Sequence, residues 1–257
     1  MKKIIGALLT AISLLCLAGC GSTQKLVLDE AKTYEIASQV RSLDIRINAA
    51  ELKIECGETF SVVSNLKYLE VSERGGTLTL KDLTKTVNAA ESYEGAMLTV
   101  YIPTGTEFEK VHLFTGAGRL TAETLSAKRL ELELGAGDVS VGSLFVTGSA
   151  EMEGGAGRIT VSGGRINGLD LEMGVGELEL TAALTGDCEL EMGVGDADIT
   201  LLGSKEDYRL EISKGIGAIS VDGSDVFAFN SSGSGANEIG ISGGIGAIDV
   251  RFMDPQG

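Results

Sequence analysis

A tripeptide of the form Gly-small-Gly recurs along the chain with an alternating aliphatic segment on either side, and this repeat limits the fold more tightly than any other feature. Copies begin at Gly116, Gly135, Gly155, Gly174, Gly193, Gly215 and Gly244, at spacings of 19, 20, 19, 19, 22 and 29 residues. The last two spacings are lengthened by insertions such as the 225–237 segment, and a degenerate copy, Asn48-Ala49-Ala50, sits between the apolar runs 43–47 and 51–54. A unit this short, with two arms that alternate apolar and polar, cannot bury its own apolar side, whereas stacked copies bury one shared column. The repeat therefore predicts an all-β chain: a single-stranded right-handed β-solenoid, or β-helix, of about 19–20 residues per coil with an irregular N-terminal cap. Sharp corners favour Gly because a Cβ would block the backbone angle or the close approach they need.

Alternation on each arm names the side chains that point inward. Over the five copies from Gly135 to Gly215 the columns before the corner read Leu130, Ala150, Leu169, Cys188, Tyr208; then Leu132, Met152, Leu171, Leu190, Leu210; then Leu134, Gly154, Met173, Met192, Ile212. After the corner they read Val139, Ile159, Leu178, Ala197, Ile219 and Val141, Val161, Leu180, Ile199, Val221. Residues 39–110 are less regular and read as opening coils and cap, with turns at Arg74-Gly75-Gly76 and Pro103-Thr104-Gly105; residues 111–257 carry the regular coils. A solenoid end exposes strand edges, so both ends need a cover.

The first nineteen residues read as a signal peptide: Lys2 and Lys3 precede an apolar stretch too short to span a bilayer, closed by Leu17-Ala18-Gly19-Cys20. That tetrad resembles the lipobox of bacterial lipoproteins, which implies cleavage before Cys20, lipid attachment to its thiol, and an exported chain held on the extracytoplasmic face of a membrane, with 20–38 as a tether to a domain over 39–257. Cys16 leaves with the leader, so Cys56 and Cys188 remain; both fall at inward positions of different coils and are expected as buried free thiols, not a disulfide. No CxxC or Cys/His spacing for a metal occurs, and His112 is the single histidine.

The Tyr101-Ile102-Pro103-Thr104-Gly105 corner, the 111–115 strand after it, the Gly-Ala-Gly turns at Gly116, Gly135 and Gly155, and the closing Gly235-Ala236-Asn237-Glu238-Ile239 together carry a family resemblance. The chain resembles, over roughly 43–250, the bacterial putative-adhesin family of domains of unknown function, the DUF4097-like β-solenoids. That resemblance implies a β-solenoid on an exported or membrane-attached protein and brings no catalytic motif.

The outward positions bear on function. His112, Glu131, Glu151, Asp170 and Glu189 stand four residues before their corners and Phe114, Glu133, Glu153, Glu172 and Glu191 two before theirs; with Arg209 and Glu211 taken as the next members of the two rows, stacking turns them into two parallel carboxylate ladders. With a formal charge of -16, and about -18 once Lys2 and Lys3 are removed, the chain disfavours nucleic acid and anionic lipid as partners and favours cations: a basic peptide, protein or surface ligand, or Ca²⁺ held by oxygen ligands. No resident cofactor is expected. Directly after the corners, Arg119, Asp138, Arg158, Glu177 and Asp196 mostly alternate in sign and predict pairing between neighbouring coils. A calcium ladder of the GGxGxD type is not expected, because Arg119, Arg158, Ala218 and Ala247 occupy the Asp position. A nucleophile needs a base and the base an orienting group; His112 is placed as a surface residue beside Glu131, so no enzyme is expected. The reading is thus a non-catalytic binding or adhesion module, with an envelope-stress or signalling accessory protein as one alternative and a polysaccharide-active enzyme using ladder carboxylates as another.

Overall fold

The computed structural model describes residues 27–37, 39–84, 93–226 and 230–254. Among these the chain is β almost throughout, with one short 3₁₀ turn at Lys205–Asp207 and no α-helix. Strands β1 (Leu28–Glu35), β2 (Ser42–Gly57), β3 (Ser61–Leu66), β4 (Leu69–Arg74), β5 (Thr77–Asp82) and β6 (Met97–Pro103) form the opening part. The regular coils follow as β7 (Phe108–Val161), β8 (Gly164–Asn167), β9 (Leu169–Thr185) and β10 (Asp187–Leu202). The closing part comprises β11 (Tyr208–Ile216), β12 (Ile219–Val221), β13 (Ser224–Asp225), β14 (Asn230–Ser232), β15 (Asn237–Ile245) and β16 (Ile248–Met253). All sixteen belong to one sheet. β7 runs for 54 residues because its backbone passes round the Gly corners without losing its ladder partners.

The parallel register confirms the stacking. Leu171 lies beside both Leu190 and Met152, and Ile159, Leu178 and Ala197 form the matching column after the corner. These side chains are at most 2% exposed, and a Leu so enclosed stabilises by roughly 1.5–3 kcal/mol relative to leaving it in water. A further inward column, Val146, Ile166 and Leu184, lines a third side of each coil that alternation about the corner alone does not reveal.

The corners show why two glycines are needed. A Cβ on Gly176 or Gly195, at φ +150° and +140°, would sit 1.8 and 1.7 Å from the carbonyl oxygen of the corner glycine one coil earlier. No L side chain tolerates either the angle or the contact.

Both ends depart from simple sequential winding. β2 pairs with β7 on one side and with β5 and β6 on the other, so the coil of β5 and β6 lies outside a coil that precedes it in sequence. At the far end β15 and β16 insert between β10 and the β11–β12 coil, and β14 then covers β11 antiparallel. Each terminal strand region is thereby locked between two neighbours, and the edges that a solenoid must hide are shortened.

This insertion corrects the last column. Cys188 lies beside Ile239, which lies beside Leu210, and Leu190 leads through Ile241 to Ile212. The final coil is therefore displaced by two residues from the expected alignment with Tyr208 and Leu210. The tether expectation also shifts: β1 begins at Leu28 and pairs antiparallel with β3, so ordered structure starts inside 20–38. Cys20 and the leader lie outside the described residues. Cys188 is buried, but Cys56 is exposed: beyond Ile54 the strand leaves the core, and Cys56 borders an open hollow with Ile102, Phe108 and Phe145. Both thiols are free.

Candidate functional site

The carboxylate rows form as the alternation dictates over the regular coils. Glu151, Asp170 and Glu189 stand side by side on successive rungs, as do Glu153, Glu172 and Glu191. Rungs of a sheet are about 4.8 Å apart, so six carboxylates share an area only three rungs high. Among the described residues, no cationic side chain is within ion-pair reach of these six. Burial, followed by the charges of Glu133, Glu151, Glu172 and Asp170, raises the Glu153 carboxyl above its ordinary value; burial, followed by Glu189, Glu172 and Asp170, does the same to Glu191. The direction is that of groups crowded by like charge.

The rows end in different ways. Toward the opening coils Glu131 receives the Lys110 ammonium at 2.7 Å, and the His112 ring lies 2.9 Å from Asp44 and 3.1 Å from Glu133. His112 thus bridges two carboxylates on the coils either side of its own and does not meet Glu131 as expected, because Lys110 takes that place. It is also nearly enclosed, at 9% exposure, not a free surface residue. Arg46 and His112 donate to or face Asp44 and hold its carboxyl below its ordinary value, against the effect of its own partial burial.

Toward the closing coils the insertion of β15 breaks both rows. The rung after Glu189 carries Gly240 and only the next carries Glu211, so Glu211 belongs to the row of Glu189 and not, as expected, to that of Glu191. The row of Glu191 continues as Ser242 and Ser213. Arg209 drops out of the row and pairs with Glu238. The missing side chain at Gly240 leaves a recess bordered by Asp170, Asp187, Glu189, Glu211 and Glu238. No three acidic, His or Cys side chains among the described residues converge closely enough to enclose a metal ion.

The charges after the corners pair between coils as the sign alternation predicts. Arg158 forks onto Glu177, with Nε at 2.7 Å, and Arg119 approaches Asp138 at 3.8 Å. Asp196 instead accepts from the Ala247 amide at 2.8 Å, since the rung beside it is β15–β16 and not a basic residue. Such exposed pairs contribute about 0–1 kcal/mol each and set register more than stability.

Sequence reasoning passed over one surface feature. The middle residue of each corner is the single position there able to carry a side chain, and its column runs Ala156, Val175, Val194, Ile245, Ile216 in spatial order. The four branched aliphatics are 54%, 43%, 53% and 72% exposed. The signal was present in the tripeptides themselves, as Gly-Val-Gly and Gly-Ile-Gly.

With this architecture in place, the chain matches the Toastrack DUF4097 family over residues 24–239. The chain belongs to that family. No curated protein matches it. Among solved structures, this Toastrack chain is similar to a putative cell adhesion protein from Clostridium sporogenes ATCC 15579, at 14% identity over 87% of this chain and 99% of that one, with a TM-score of 0.33. It is similar also to a putative adhesin from Parabacteroides distasonis ATCC 8503, at 13% identity over 87% and 96% of the two chains and a TM-score of 0.41. A third, described as a putative lipid binding protein from the same organism, gives 14% identity over 86% and 96% and a TM-score of 0.29.

Proposed function

We propose that this Toastrack chain is a lipid-anchored, non-catalytic binding module on the outer face of a bacterial membrane, and that its unpaired carboxylate rows recognise a cationic partner. The observation that carries the reading is the set Glu151, Glu153, Asp170, Glu172, Glu189 and Glu191, held on successive rungs with no ion pair to a cation among the described residues. Repulsion among fixed carboxylates makes a bound cation more favourable here than on a surface where charges are already paired. The leader and Cys20 support the anchor. Seven residues separate Cys20 from Leu28, eight backbone steps with a reach of at most about 29 Å, so the opening coils would lie close to the membrane.

Two measurements test this. Cys20→Ala should move the chain from the membrane fraction to the soluble one and remove the acyl mass. Calorimetry of the mature chain with an oligolysine peptide should give heat that weakens steeply with salt and falls in Glu153→Gln/Glu172→Gln/Glu191→Gln. Absence of heat even at low salt refutes the cationic-partner reading. Hydrolysis of a glycan abolished by Glu172→Gln or Glu191→Gln would replace it with an enzymatic one.

A further inference from the structure

The aliphatic column at the corners is not explained by the fold. The flanking glycines are dictated by backbone contact, but the middle residue points away from the core, and Ala serves at the earlier corners Ala117, Ala136 and Ala156. The change to Val175, Val194, Ile245 and Ile216 puts four large apolar side chains in a line on the outside of consecutive rungs. Scattered apolar residues on a surface need no account, whereas a contiguous row of them marks a contact surface.

The surroundings of the row specify what can cover it. On one side, three residues before each Val, stand Glu172 and Glu191 with Asp170 and Glu189 beyond them; on the other, two residues after, stand Glu177 and Asp196. Beside the two Ile the flanks are small, Ser242 and Ser213 on one side and Ala247 and Ala218 on the other. This is an apolar strip with an acidic rim at one end, the arrangement of a protein interface. A second copy placed strip to strip would bring two acidic rims together if parallel and set each rim against uncharged Ser and Ala flanks if antiparallel, so neither arrangement supplies a cation to the carboxylates. The chain's own membrane is also a poor occupant: the strip lies at the end of the stack opposite β1, and the rim repels anionic headgroups.

We infer that the Val175–Val194–Ile245–Ile216 strip docks a basic amphipathic segment of a partner protein, its apolar stripe on the strip and its lysines or arginines on the carboxylates of Glu172 and Glu191 and of Asp170 and Glu189 beyond them, since Glu177 and Asp196 on the other side already have partners. The spacing suits a helix lying along the stack. Side chains three or four apart on a helix are about 5–6 Å from one another, close to the rung spacing of about 4.8 Å, so some ten residues would cover the strip. The inference rests on the cationic-partner reading and deepens it by adding an apolar requirement.

The test uses the mature chain anchored in phosphatidylcholine nanodiscs, with empty nanodiscs subtracted, and three fourteen-residue peptides. One has Leu on one helical face and Lys beside it, one has the same composition scrambled, and one has Lys and Gln only. The first should bind most tightly, and Val175→Thr/Val194→Thr/Ile245→Thr/Ile216→Thr should weaken it by about tenfold or more while leaving the Lys/Gln peptide unchanged. Thr keeps the branched shape that suits a strand, so folding is preserved and is checked by circular dichroism. Equal affinity for patterned and scrambled peptides, or no effect of the Thr variant, overturns the inference but leaves the acidic face intact. Failure of every peptide to bind overturns both, and strip-dependent association with peptide-free phosphatidylcholine vesicles would assign the strip to lipid.

Discussion

Glu172 sits at the centre of its row, one rung from Glu153 and one from Glu191. At a rung spacing of about 4.8 Å in water's dielectric, each neighbour repels it by roughly 0.9 kcal/mol. Screening reduces the two together to about 1.5 kcal/mol at 0.01 M salt and about 1 kcal/mol at 0.15 M, ceilings because exposed carboxylates can splay apart. Glu172→Gln is therefore expected to stabilise the fold, raising Tm by about 2–4 °C at 0.15 M salt and more at low salt, in a chain of this size. Oligolysine binding should weaken in the same variant. Scanning calorimetry at the two salt concentrations checks the first point and titration the second. A Glu172→Gln chain no more stable than wild type at low salt would refute the view that these carboxylates strain one another, and with it the reason a cation should be held there.

Glu153 and Glu191 are raised above the ordinary glutamate value of 4.5, so the folded chain takes up protons before the unfolded one does, and stability should rise as pH falls from neutrality toward that ordinary value. Asp44 is shifted the opposite way, from 3.8 downward, so its contribution is lost only in more acid solution; thermal melts across this range should show the rise flatten in Glu153→Gln/Glu191→Gln, and a steady fall would contradict the assignment. Gly195→Ala puts a Cβ 1.7 Å from the Gly176 carbonyl oxygen and should lower the urea midpoint by about 1 M or more, whereas Val194→Ala beside it should cost little. Iodoacetamide should modify exposed Cys56 in the native chain and Cys188, whose thiol burial raises, only on unfolding; equal rates would refute the difference in burial.

The regular coils were legible because their signal is redundant. Leu132, Met152, Leu171 and Leu190 share a phase with the Gly corner, and every coil repeats it. Alternation does not fix the last coil, because Tyr208, Leu210 and Ile212 repeat with a period of two and a slip of two residues leaves the pattern equally apolar. Only strict counting from Gly215, five residues back to Leu210, resolves the slip, and it moves Glu211 from one acidic row to the other. The insertion of β15–β16 between β10 and β11 has no such signal: Ile239 and Ile241 would fit beside any coil. Cys56 illustrates the converse error, in which the alternation is right but the core has already ended.

The corner glycines and inward columns leave this chain few free choices, and those choices lie on the outside. An alanine at each corner would satisfy the backbone as well as Val194 or Ile216 does, and would not expose large apolar surface to water. Glutamine would satisfy the outward strand positions as well as Glu172 or Glu191 does, without repulsion. The two departures meet on the rungs of β9 and β10; the unpaired acids reach one rung further back, to Glu151 and Glu153 beside Ala156, and the aliphatics two rungs further on, beside Ser242 and Ser213, while the earliest coils carry Ala at the corner and supply Lys110 and His112 to their acids. A surface that sets apolar exposure beside unpaired charge lowers the stability of the isolated chain on two independent counts, and one partner that covers both relieves both. If the two features served separate ends, Thr substitutions on the strip would leave the energetics of carboxylate neutralisation by an amphipathic peptide unchanged. A double-mutant cycle between Val194→Thr and Glu191→Gln, read in affinity for that peptide, should instead show a coupling clear of the additive limit of about 0.5 kcal/mol.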